Sequence, residues 1–243
     1  MSRQKKSPRG RRGDIARLRQ PSVPWRAAGA GLVVLALIGA LAYHLIPKAM
    51  NRSSDDSRVA DAAADIEGVI SADYAAGQHV AAPQRVAYDR SPPFGGPHDQ
   101  IWATCTGTVY DSAIRSEHAV HSLEHGAIWI TYDPSRIDGA ALASLDQRVD
   151  GVPYTFMSPY PGLSEPISIQ GWGRQLTLKT ADDPRLDQFV AAMRNGSVAP
   201  EVGASCSTIP GGFDPRNPPE FDPYPPGPDA VPMPQPGPTP RVR

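Results

Sequence analysis

The chain has 243 residues, 40 % of them hydrophobic and 20 % charged, with a formal net charge of −1. That length accommodates one sizeable domain plus tails. The charge is uneven: residues 1–26 carry nine Lys or Arg against one Asp, which leaves −9 on the rest. A basic arm can serve nucleic acid, but this one stands directly before an uncharged apolar run, so no nucleic-acid partner is expected.

The run covers residues 27–47 and includes Gly31-Leu-Val-Val-Leu-Ala-Leu-Ile-Gly-Ala-Leu41, with Trp25 and Tyr43 at its ends. About 20 apolar residues cross about 30 Å of hydrocarbon. Aromatic residues anchor the interfaces, and flanking Lys and Arg stay inside. The expectation is therefore a single-pass cell-membrane protein, held in the lipid bilayer by a transmembrane helix or signal-anchor over 27–47. Its arm over 1–26 would be cytoplasmic and its C-terminal domain extracytoplasmic. A cleaved signal peptide is the rival reading, but Tyr43-His-Leu-Ile-Pro47 makes a poor cleavage site.

Residues 48–64 read as a polar stalk, with a short Ala-rich helix from Arg58 to about Gly68. Gln78 to Tyr88 is weakly extended and contains His79, isolated in sequence from the other histidines. Pro92-Pro-Phe-Gly-Gly-Pro97 forms a shaped loop that ends at His98, because proline fixes φ and glycine admits positive φ. Ala127-Ile-Trp-Ile-Thr-Tyr132 is the clearest strand, rich in β-branched and aromatic residues. Residues 138–148 read as a helix, 152–157 as a strand, and 167–170 and 174–179 as further strands. A second helix over 184–194 starts at Pro184, with Asp182 or Asp183 as its cap. Strands alternating with helices predict a small α/β or α+β domain with a single sheet and packed helices, over residues 65–208. Thirteen prolines within 210–243 mark residues 209–243 as a disordered or polyproline-II tail. The tail reads first as a spacer reaching into the envelope, and Pro223-Tyr-Pro-Pro226 would alternatively suit an envelope protein partner with an aromatic groove.

The chemistry concentrates in His118-Ala-Val-His121-Ser-Leu-Glu124-His125-Gly126. As a helix, this segment puts His118, His121 and His125 on one face; as an extended segment, it still turns His121 and His125 to one side. With His98 from the proline loop they would make a three-histidine set. Glu124 would be its fourth ligand or orienting partner, and zinc or copper its natural occupant. The competing reading pairs the histidines structurally with Glu117, Glu124 or backbone carbonyls, in a non-catalytic accessory or protein-interaction protein of the cell envelope. Ser122 stands where the zinc-protease motif has its glutamate, so that motif is absent. The chain also lacks a Gly-x-Ser-x-Gly elbow, a phosphate-binding loop, a dinucleotide fingerprint and a Cys-x-x-Cys pair. No catalytic residue is assigned. Cys105 and Cys206 are the only cysteines. Either they form a disulfide that closes a loop of about 100 residues, or Cys105 joins the histidines as a ligand.

Several stretches carry a resemblance: Pro92-Pro-Phe-Gly-Gly-Pro-His98, Gly107-Thr-Val-Tyr110, and above all Val120-His-Ser-Leu-Glu-His-Gly126 running on to Tyr132. Ser158-Pro-Tyr-Pro-Gly162 and Gly171-Trp-Gly-Arg-Gln-Leu176 add to it. Over residues 65–208 the chain resembles an uncharacterised, mostly actinobacterial family of single-span membrane proteins with an exported domain of unknown function. The resemblance places His98, His121, Glu124 and His125 at signature positions, with His118 incidental. It pairs Cys105 with Cys206 and implies no established activity.

Overall fold

The computed structural model describes residues 63–234. In chain order the strands are β1 Ile70–Ser71, β2 His79–Val80, β3 Val86–Ala87, β4 His98–Asp99 and β5 Thr106–Val109. Helix α1, Ser116–Glu124, leads to β6 Ile128–Tyr132; helix α2, Gly139–Val149, leads to β7 Thr155–Pro159. Next come β8 Ile167–Gly171, β9 Arg174–Leu178, helix α3 Pro184–Met193 and β10 Val231–Pro232.

Six strands form one mixed sheet in the order β1-β9-β8-β6-β7-β5. β5 and β6 run parallel to β7 on either side of it, whereas β8, β9 and β1 add antiparallel. Chain handedness then fixes the layers. Parallel crossovers are right-handed. The step from β5 over β7 to β6 and the step back from β6 to β7 go in opposite directions, so α1 and α2 belong on opposite faces. The packing agrees. Ala119, Val120 and Leu123 of α1 meet Trp129 and Phe156 on one face. Leu145 and Val149 of α2, with Leu186, Phe189 and Met193 of α3, meet Ile128, Ile130, Met157 and Ile169 on the other. The period of two in Ile128-Trp129-Ile130 divides that strand between the faces.

Two glycines set the frame. Gly126 follows the short α1 with φ +95°. Its N–H reaches Leu123 O at 3.0 Å, and Ala127 N–H reaches Ser122 O at 3.0 Å. This is the paired closure that stops a helix on a left-handed residue, and it sends the chain directly into β6. Gly107, φ +84°, lies where any Cβ would stand 2.3 Å from Val152 N. The β5–β7 register shifts there. A disulfide joins Cys105 to Cys206 across 101 residues, with Cα atoms 4.7 Å apart. It ties β5's approach to the segment beyond α3 and takes Cys105 out of reach as a metal ligand.

Several expectations are corrected. The fold is α+β with a mixed sheet, and two small parallel pairs, β2–β4 and β3–β10, accompany the single sheet that was expected. No helix among the described residues is long and apolar enough to cross a membrane. The longest, α2, has 11 residues, a rise of about 16 Å against about 30 Å of hydrocarbon. The transmembrane fold, the signal-anchor and the single-pass cell-membrane topology are therefore not supported. The run over 27–47 on which they rested, the basic arm over 1–26, nearly all of the stalk and residues 58–62 of the helix expected from Arg58 lie outside the described residues; of the rest of that helix only Ala63 and Ala64 are helical, and residues 65–68 form turns. The strand expected over 152–157 begins only at Thr155, because Tyr154 takes φ +58° and cannot continue a pleated chain.

The proline-rich segment, which composition marks as disordered, lies on the domain as far as residue 234. Phe213 is buried against Tyr110 and His118, with ring centroids at 5.8 and 5.2 Å. Phe221 packs on Tyr160, Arg85 holds Asp222 at 2.7 Å, and β10 pairs with β3. Prolines forbid a regular element but leave aromatic and carbonyl groups free to dock.

Candidate metal centre

Helix α1 is buried along nearly its whole length, including its polar residues Glu117, His118, His121, Ser122 and Glu124; His125 at its C-cap is buried too. A buried polar group needs a partner, and the loops that clad α1 supply them. His118 Nδ1 donates to Ile101 O at 2.6 Å, His121 Nδ1 to Asp99 O at 2.7 Å and His125 Nδ1 to Ser205 O at 2.8 Å. His98 Nδ1 donates to Gly96 O at 2.8 Å. Ser122 Oγ donates to Ala103 O at 2.6 Å, which employs the hydroxyl in the frame.

Because carbonyl oxygens only accept, each of these rings carries a proton on Nδ1, and a neutral ring then has its lone pair on Nε2. That tautomer, fixed by a backbone carbonyl, is the one that presents a histidine to a metal. The four rings then part company. His118 Nε2 lies 3.5 Å from the Arg115 guanidinium and faces away from the rest. His98 and His121 converge, with ring centroids 4.8 Å apart, and His79 joins them at 4.9 Å from each. Glu124 completes the group. Donor atoms of His79, His98, His121 and Glu124 all lie within 4.8 Å of one another. A tetrahedral ion with ligands at about 2.1 Å needs edges of about 3.4 Å, which small side-chain rotations supply.

The pair at the centre of this group decides its character. His98 Nε2 stands 2.9 Å from Glu124 Oε2, both side chains wholly buried. Neither atom is aligned for a hydrogen bond to any partner. At that distance the two atoms either share a proton as an ion pair or offer two lone pairs that one cation can take up. The other carboxylate oxygen, Oε1, accepts from Gly77 N–H at 2.7 Å, which fixes the carboxylate plane. Burial raises the Glu124 carboxyl, but His98 and the Gly77 N–H outweigh it and hold the pKa below its usual value, so the group is ionised at neutral pH. Burial, reinforced by His98 and His125, lowers the His121 pKa to about 3. Burial likewise lowers His118 and His125. A carboxylate among imidazoles, those of α1 held neutral, is a donor set that can hold a transition-metal ion.

His125, which sequence spacing puts beside His121, occupies a second, overlapping group. Its ring lies 4.6 Å from His121, and its Nε2 is 3.5 Å from Glu201. Donor atoms of His121, His125 and Glu201 also lie within 4.8 Å of one another. Trp102 covers both rings, at 5.5 Å from His121 and 5.0 Å from His125, with its Nε1 donating to Ser207 O. Trp172 sets its edge against His98 at 5.9 Å.

Comparison with protein families matches residues 79–208. The chain belongs to the DUF3105 family, whose description is a protein of unknown function. No curated protein and no solved structure matches it. The DUF3105 stretch begins at His79 and ends just past Cys206, so it contains every donor of both groups and the disulfide.

Sequence reasoning missed His79, Glu201 and Trp102. His79 has no helical or alternating neighbours to mark it. It reaches the site because β2 and β4 pair in parallel with His79 directly opposite His98, a long-range register that no local pattern announces. Glu201 is placed by the bond of its N–H to Glu124 O at 2.9 Å. A histidine at the start of the family's matched stretch is the one signal that would have drawn attention to His79.

Proposed function

We propose that this DUF3105 protein binds a divalent transition-metal ion, zinc or copper, through His79, His98, His121 and Glu124. The observation that carries the reading is the convergence of four donor atoms within 4.8 Å of one another, with His98 Nε2 and Glu124 Oε2 wholly buried at 2.9 Å. A cation held among them would neutralise the buried carboxylate and take up the imidazole lone pairs. Imidazole nitrogen with one carboxylate suits zinc and copper better than the oxygen-seeking magnesium and calcium. His79 is the exposed member of the set, so the ion would sit beneath the surface with one side open to exchange.

The test is elemental analysis of the untagged protein after loading with Zn2+ and dialysis, with Cu2+ in a parallel sample. Wild type should hold close to one ion per chain. The double variant His121→Asn/Glu124→Gln should hold a trace while keeping its circular-dichroism spectrum. Trace metal in the wild type under both loadings would leave the rings with their structural bonds alone and defeat the reading.

A further inference from the structure

The two donor groups share one member, and that sharing has a consequence for how an ion moves. This step rests on the metal-binding reading above. His121 has one free nitrogen, Nε2, because Nδ1 is committed to Asp99 O at 2.7 Å. A single lone pair serves a single ion, so the inner group of His79, His98 and Glu124 and the outer group of His125 and Glu201 cannot both complete themselves with His121.

We infer that the two groups are successive stations for one ion, with His121 as the ligand retained during transfer and His125 and Glu201 as the receiving pair. Three features support this. First, the donor sets match in kind: each combines imidazoles with one carboxylate, Glu124 inside and Glu201 outside. The ion changes ligands without changing the net charge around it. The exchange is balanced, with the Glu124 oxygen and the His98 and His79 nitrogens leaving as the Glu201 oxygen and His125 nitrogen arrive, and no electron or proton moves. Second, exposure rises from the inner carboxylate to the outer one, while His79 of the inner group is itself exposed. The side chain of Glu124 is 0 % exposed, that of His125 4 % and that of Glu201 45 %. Third, the backbone locks the stations together. Glu201 N–H bonds to Glu124 O at 2.9 Å, His125 bonds to Ser205 O, and the disulfide at Cys206 holds that segment against Cys105. Trp102 roofs the crossing from His121 to His125. The ligand class is a divalent transition ion, accepted from or handed to a donor that approaches the Glu201 side.

Stopped-flow fluorescence tests this, because Cu2+ at either station quenches Trp102. Full-length protein, wild type and Glu201→Gln, is loaded with Cu2+ alone and then stripped with excess EDTA. The variant should load and release at least about tenfold more slowly, which is about 1.4 kcal/mol in the barrier, and by a similar factor in both directions. His125→Asn should do the same, and a melting curve confirms that it is folded. Glu124→Gln should instead release faster, since it removes a ligand of the inner station. Unchanged rates in both Glu201→Gln and His125→Asn would overturn the relay and point to entry past His79. Two ions per wild-type chain at saturation would also overturn it, since the groups would then fill together. Failure of the wild type to bind either Cu2+ or Zn2+ would defeat the metal reading as well, so the two failures are separable.

Discussion

The two faces of the central sheet obey different rules. The face under α2 and α3 is a dry aliphatic layer: Ile128, Ile130, Met157, Ile167, Ile169, Leu145, Leu186 and Phe189 fill it without a polar partner among them. The face under α1 holds almost as many buried polar groups as apolar ones, and loops pair most of them at a distance while His98 Nε2 and Glu124 Oε2 have no aligned partner. The first face is held by area removed from water. The second is held by directed bonds whose acceptors come from residues 96–105 and 199–207. A layer held by area tolerates exchange between shapes of like volume. A layer held by directed bonds can keep a lone pair free at a chosen point, and that is where the metal donors are found.

This contrast can be broken from either side. The largest effect belongs to the dry face. Phe189→Ala should cost about 3–5 kcal/mol, measured by urea denaturation, and should leave metal stoichiometry as in wild type. Loss in both stability and stoichiometry would mean that the faces are not independent. Next is the clamp on the polar face. Replacing both Cys105 and Cys206 by Ser should cost about 2–5 kcal/mol. It should also speed hydrogen exchange in residues 199–207 and leave α2 and α3 protected. Uniform deprotection would contradict a local clamp.

The smallest effect is a pH slope. In the metal-free protein His121 takes up its proton only near pH 3, whereas the unfolded chain does so near its ordinary 6.5. Between those values the unfolded state binds more protons. Stability therefore rises with pH there and is lost as pH falls from 6.5, by up to about 1.4 kcal/mol per unit from this group. Glu124, with its pKa lowered, adds loss of the same sign below its ordinary 4.5. Thermal melts at pH 7 and pH 5 in EDTA should show the fall, and His121→Asn should flatten it. An unchanged slope in that variant would remove His121 as its source.

Legibility in the sequence follows the same division. Elements of the dry face announce themselves: the helices expected over 138–148 and 184–194 stand within a residue of their observed spans. Asp183 caps the second by accepting from Arg185 N–H. Local periodicity is enough where burial is one-sided. On the polar face, His98, His121 and Glu124 are conspicuous because a stiff loop and a crowded nine-residue run mark them. Sequence spacing cannot say which nitrogen of a ring is spoken for. The alternatives of metal ligand and structural pairing read as rivals in the sequence, whereas the rings divide them, Nδ1 to the frame and Nε2 to the open space. His79 and Glu201 depend on a parallel register and on a disulfide-held return, neither of which leaves a local trace. The membrane span was inferred from hydropathy over 27–47, and no helix of the described domain repeats that pattern.

The reach of the fold beyond the family's matched limits bears on how the protein can be handled. A gene fragment cut at 79 and 208 would strip β1 from β9 and bare a sheet edge, which is an invitation to fibrillar association. It would also empty the hollow that Phe213 fills beside Tyr110 and unhook β10 from β3. Expression trials should carry the chain from about residue 63 through 234, because the shared core of the family is smaller than the body that this sequence closes around it.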